Sequence, residues 1–166
     1  MTSAKESLSE LAQSVHTRLM ELLDGMDYCL DWKDQEDSWS VRQVVYHLLG
    51  TPPGGLNGVL KGVLSGDLAE YDLWADLDNI TPQRMEHDRG TIRQEVEQHF
   101  SELASALASA TDQDLSEKTV VVHLKSRGED VERTAEELLR RGLEGHWQGH
   151  LEQLGEVRES LGFPTG

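Results

Sequence analysis

Cysteine is nearly absent. Cys29 is the sole one in 166 residues, so the chain cannot close an internal disulfide, which fits a reducing, cytoplasmic setting. It stands among Tyr28, Leu30 and Trp32, with no neighbouring cation to lower its pKa, and reads as a packed thiol rather than a nucleophile. Long hydrophobic runs are missing as well. No apolar stretch approaches the ~18 residues of a membrane span, and no apolar segment follows Lys5, so neither a membrane helix nor a secretory signal is expected. Positive charge is the third shortage. Fifteen basic side chains against 31 acidic ones leave a formal charge of −16. Nucleic-acid binding draws its affinity from Lys and Arg displacing counterions, and an anionic leaflet demands the same residues. Neither is an expected partner, which leaves small molecules.

What the chain does have is helical periodicity, over a length that suits one domain, 1–166. Leu8, Leu11, Ala12, Val15, Leu19, Leu22 and Leu23 recur at three- and four-residue steps, the stripe of a helix with one buried face. Ser3 or Ser7 caps its start and Gly25 stops it; His16 falls on its shoulder as a surface residue. After a polar stretch, 31–37, Ser40 is the N-cap of a second helix with the stripe Val41, Val44, Val45 and Leu48. Thr51-Pro52-Pro53-Gly54-Gly55 must end it near Gly50. A short helix resumes over Leu56, Val59, Leu60, Val63 and Leu64 and closes at Gly66, while 67–80 shows no period and reads as a loop.

Thr81-Pro82 is an N-cap followed by proline at the first helical position. Thr91-x-x-Gln94 forms a capping box opening a long helix over Ile92, Val96, Phe100, Leu103 and Leu107 that ends near Ala110. Residues 119–125 are β-branched and 126–129 turn into 130–133, a small hairpin. Thr134-x-x-Glu137 then caps the last helix, which runs to about Leu161 before Gly162 and Pro164. Four long amphipathic helices with short or medium connections predict a mainly all-α fold, a four-helix bundle with one hairpin before the last helix.

That last helix carries the chemistry. At roughly 100° per residue, Ala135, Leu139, Leu143, Leu154, Val157 and Leu161 gather on one side, with His146 and His150 projecting from the middle of the cluster. Fourth-residue spacing stacks the two imidazoles one turn apart, where both reach one ion such as zinc or nickel. The alternative is a pair of core histidines, each hydrogen-bonded to a neighbour. Two buried imidazoles cost about 1–3 kcal/mol each if unsatisfied, and one metal satisfies both. Gly142, Gly145 and Gly149 flank them, each weakening the helix by ~1 kcal/mol. Either a neighbouring backbone approaches there or space is kept for a ligand. A third ligand must come from elsewhere. His47 lies on the flank of the second helix, His99 on the apolar face of the third is its competitor or a fourth member, and His87 and His123 read as surface residues.

Trp39-Ser40-Val41-Arg42 followed by His47, with Gly145-His146-Trp147-Gln148-Gly149-His150 on the last helix, resembles the DinB-like superfamily of four-helix bundles over nearly the whole chain. The resemblance implies His47, His146 and His150 as metal ligands. The Pro-Pro-Gly-Gly break after His47 departs from the family's longer helix, and no fourth protein ligand is evident. The resemblance implies a metal-dependent enzyme, first a transferase using a low-molecular-weight thiol and second a hydrolase. A non-catalytic metal- or ligand-binding protein is the contrasting reading. Glu144 and Glu152 are near the histidines in sequence but on other faces, so no general base is named. Family members often dimerise, and a homodimer through the Trp74 loop or helix faces is compatible with the sequence.

Overall fold

The structure, a computed structural model, describes residues 3–163; Pro164, expected after the last helix, lies outside them. α1 (Ala4–Leu23) is capped by the Ser3 hydroxyl, which accepts from the Glu6 amide. α2 (Val41–Gly50) opens on a capping box in which Ser40 and Gln43 satisfy each other's backbone N–H. Gly54 and Gly55, at φ of +85° and +83°, turn the chain where a Cβ would strain it, and α3 (Gly55–Ser65) follows.

The stretch expected to be a loop holds a strand, β1 (Glu70–Leu73). Four residues are too few to display an alternation, and its pairing partner lies some fifty residues away. Next come the one-turn α4 (Pro82–Met85), capped by Thr81, and the long α5 (Arg89–Ser109). The cap of α5 is Asp88, whose carboxylate accepts from the Thr91 amide at 2.8 Å, rather than Thr91 itself. A carboxylate at a helix start gains from the helix dipole in addition to the hydrogen bond. A second unexpected element, α6 (Asp112–Glu117), is built on a capping box between Thr111 and Asp114.

The hairpin forms as β2 (Thr119–Leu124) and β3 (Glu129–Thr134), and β1 joins it parallel to β2 in the order β1-β2-β3. Tyr71, Val120 and Val122 turn one sheet face to the core. On the other, His123 is half-buried rather than free, reaching Asp130 at 2.6 Å and Glu70 at 3.2 Å. Asp130 first, then Glu70, hold its pKa above the ordinary value.

The last helix is continuous but changes pitch: α7 (Ala135–Arg140), a π-helical segment (Arg141–Trp147) and α8 (Gln148–Ser160). Four rods result: α1, α2 with α3, α5, and the α7–π–α8 rod. α1 packs on α5 and α8, α3 on α5 and α7, and α2 on α8. Val15, Leu19 and Leu23 of α1 meet Ile92, Val96 and Leu103 of α5 and Leu139, Leu143 and Leu154 of the last rod in one buried core, each such side chain contributing about 1.5–3 kcal/mol. Cys29 packs at the edge of that core. No described helix is long and apolar enough to cross a membrane.

Candidate metal centre

The bundle brings His47 of α2 against His146 and His150 of the last rod. The three offer ligand atoms that all lie within 4.8 Å of one another, and His47 Nε2 stands 2.7 Å from His146 Nε2. His47 is fully buried and the other two are half-buried. His47 Nδ1 lies 2.5 Å from the Leu77 carbonyl oxygen. That oxygen can only accept, so Nδ1 carries the proton and Nε2 presents its lone pair to the cluster. His150 repeats the device, with Nδ1 at 2.8 Å from Gln153 Oε1. Burial pushes the His47 pKa down, and it pushes His146, which also faces the other two imidazoles, down to about 3. All of this suits neutral imidazoles converging on a cation, with outer partners fixing ring orientation. Trp39 covers the group, its ring 4.9 Å from His47 and stacked over His150 at 6.2 Å.

The support behind His47 comes from the loop after β1. Asn79, at φ +59°, directs its amide to the carbonyls of Tyr46 and His47 and to the Thr51 hydroxyl at 3.1–3.3 Å. Thr51 Oγ1 in turn lies 3.3 Å from His47 Nδ1. This amide satisfies carbonyls in the last turns of α2, and it fits because residue 50 is glycine: a Cβ there would sit 2.7 Å from Asn79 Nδ2. Gln43 ties the start of α2 to the same loop through Asp78 at 3.0 Å, a bond that holds the Asp78 carboxyl below its usual range. Arg42 is buried, pairs with Asp31 at 2.8 Å and donates to the carbonyls of Arg84 and His87. The Trp39-Ser-Val-Arg motif thus supplies a cover, a cap and an anchor. Asn79→Gly keeps the left-handed backbone while deleting the amide. It is expected to weaken divalent-metal affinity about tenfold, as outer partners of ligating histidines do, with circular dichroism unchanged; unaltered affinity in a chelator competition would count against this role.

The histidine pair does not sit in the middle of the apolar stripe, as strict α-helical phasing predicts. The π-helical turns are wider. They carry the stripe from Leu143 to Trp147 and Leu151, both buried, and leave His146 and His150 at its edge facing α2. The glycines divide. Gly142 packs under Leu56, where a Cβ would meet Cδ2 at 3.1 Å, whereas Gly145 and Gly149 are exposed with open space around them. Gly145→Ala and Gly149→Ala are therefore expected to raise stability by up to ~1 kcal/mol in chemical denaturation. Gly142→Ala should be neutral or destabilising as Leu56 is displaced; the reverse order would refute this division.

The remaining histidines are elsewhere. His99 is buried on α5 against Trp147 at 5.3 Å, outside the cluster. His16 is not a free surface residue: it stacks on Phe100 at 4.7 Å, with Nε2 buried. His87 lies half-buried between Tyr46 at 2.8 Å and Glu95 at 3.2 Å. Glu144 and Glu152 are exposed, the former 3.6 Å from Arg140. Sequence reasoning missed Leu77, Asn79 and Gln153. Only Asn79 left a signal, since asparagine is among the few residues that tolerate positive φ.

No family model matches the chain, and no curated protein matches it. Among solved structures, the chain is similar to YfiT from Bacillus subtilis, described as a probable metal-dependent hydrolase with an unusual four-helix bundle topology. The superposition has a TM-score of 0.70 at 19% identity and covers 96% of this chain and 89% of that one. The likeness establishes the four-helix bundle fold.

Proposed function

We propose that this chain is a divalent-metal-dependent enzyme acting on a small molecule, with His47, His146 and His150 as the ligands. The observation that carries the reading is the convergence of three imidazoles, His47 and His146 held neutral by burial and His47 locked by the Leu77 carbonyl with Nε2 pointing inward. Imidazole donors suit zinc or nickel. Among the described residues no fourth histidine, cysteine or carboxylate joins the group. Structural zinc sites are closed by four protein ligands, and three with an open position mark catalytic ones. An ion held this way supplies Lewis-acid activation of a nucleophile or a carbonyl. The protein's own part is to fix the ligand tautomers, to exclude water from one side with Trp39, and to leave the Gly145–Gly149 side open to substrate.

Hydrolysis is the reaction favoured here, supported by the description of the structurally similar Bacillus protein. Cobalt substitution tests both centre and reaction. A four- or five-coordinate visible spectrum, lost in His146→Ala, supports the centre, and its absence from reconstituted protein refutes it. A low-molecular-weight thiol that shifts this spectrum by producing a sulfur-to-metal absorption would replace hydrolysis with thiol transfer, the chemistry implied by the DinB-like resemblance.

A further inference from the structure

Behind His47, on the side away from the three-histidine cluster, a cavity of about 430 Å³ opens between the end of α2 and the loop after β1. Its walls are Leu49, Pro53, Trp74 and Leu77, and its polar groups are Thr51, Asn79 and Arg84. None of the lining residues carries a carboxylate. Size, apolar walls and a few convergent polar groups are the attributes of a small-molecule site.

Arg84 decides what would bind. Its guanidinium lies 4.9 Å from the Tyr46 ring centroid and donates through one nitrogen to the Asn79 carbonyl. Stacked and bonded in this way it is held in place, and most of its five N–H donors remain for another partner. Acidic side chains outnumber basic ones 31 to 15, yet among the described residues no carboxylate forms an ion pair with Arg84. The guanidinium also borders a second cavity that holds Glu95 and Glu102, but in this one, of mixed polar and apolar lining, no carboxylate faces it, which leaves room for an anion from outside. One guanidinium balances a single negative charge; a doubly charged group would bring uncompensated charge against Leu49, Pro53, Trp74 and Leu77. The indole of Trp74, 43% exposed at the rim, offers a flat face to a planar body.

We propose that this cavity is a binding site for a small planar monocarboxylate, with the carboxylate on Arg84 and the apolar body between Trp74, Leu77 and Leu49. The site needs no metal, because His47 turns Nδ1 towards this wall and Nε2 away from it. Its occupant touches Thr51, Asn79 and Leu77, the residues that orient His47.

The test is a calorimetric titration of the metal-stripped full chain with 2-naphthoate and with its neutral analogue 2-naphthamide. The carboxylate should bind at least about tenfold more tightly than the amide, the range of one charge-assisted contact. Arg84→Met, which keeps the apolar stem, should erase that preference by weakening carboxylate binding far more than amide binding. Equal affinity of the two probes, or a preference that survives Arg84→Met, would overturn the proposal. So would 2-naphthoate binding only to metal-loaded protein, since that would assign the carboxylate to the ion. The comparison of the two probes uses the unaltered chain, so it stands even if the Arg84 variant folds poorly.

Discussion

His146→Ala and His150→Ala are each expected to reduce bound divalent metal from about one ion per chain to less than about a tenth, under conditions that saturate the unaltered protein. Removing either leaves two imidazoles, one on α2 and one on the last rod, and two neutral donors hold a divalent ion far more weakly than three. The fold should survive. Both side chains are half-buried at the edge of the last rod, whose core is Leu143, Trp147, Leu151 and Leu154. His146→Ala also relieves the metal-free protein of an imidazole whose charged form burial opposes. Metal content by elemental analysis, read beside far-ultraviolet circular dichroism, checks both halves. Full occupancy in either variant would refute the assignment, and loss of helix along with metal would show the histidines to be structural. Thr51→Val gives a graded comparison, because it removes only the hydroxyl between Asn79 and His47 Nδ1.

Much of this arrangement is legible in the sequence because it is local. Ser40, Thr81 and Thr134 cap helices with bonds that close within three residues. The stripe of α1 gives its buried face directly, Leu8 through Leu23, and Pro-Pro-Gly-Gly marks the break between α2 and α3. The fourth-residue spacing of His146 and His150 places both on one side of a helix whatever packs against it. What the sequence does not display is long-range. β1 exists because β2 is there to pair with it. The Leu77 carbonyl that sets the His47 tautomer is backbone, and no residue type announces it. The π-helical segment decides that Trp147, not His146, enters the core. A period of 3.6 residues does not anticipate it. His99 shows the same limit: being on the apolar face made it a candidate ligand, and only the fold separates it from the other three.

His99→Leu is expected to keep the metal and to make the protein markedly less sensitive to acid. His99 is 5% exposed, its Nε2 is buried without a hydrogen-bond partner, and burial pushes its pKa down to about 4. In the unfolded chain an imidazole titrates near 6.5. Between these values the unfolded chain binds a proton that the folded one refuses, so the contribution of His99 to stability is fully present above pH ~6.5 and is lost as the pH falls towards 4. The slope is ~1.4 kcal/mol per pH unit for one proton. Leucine fills a similar volume and takes up no proton, so at pH 5 the variant should exceed the unaltered chain by about 2 kcal/mol relative to their difference at pH 7.5, or roughly 4–8 °C in melting temperature. His16, His47 and His146 shift in the same direction and His123 in the opposite one. All four are common to both proteins, so the difference between them reports residue 99 together with its coupling to His16 and Glu102. Melts of metal-free protein from pH 7.5 to 4.5 decide the matter: parallel curves would mean that His99 is protonated as readily folded as unfolded. Loss of metal from a folded His99→Leu would instead draw this residue into the coordination sphere.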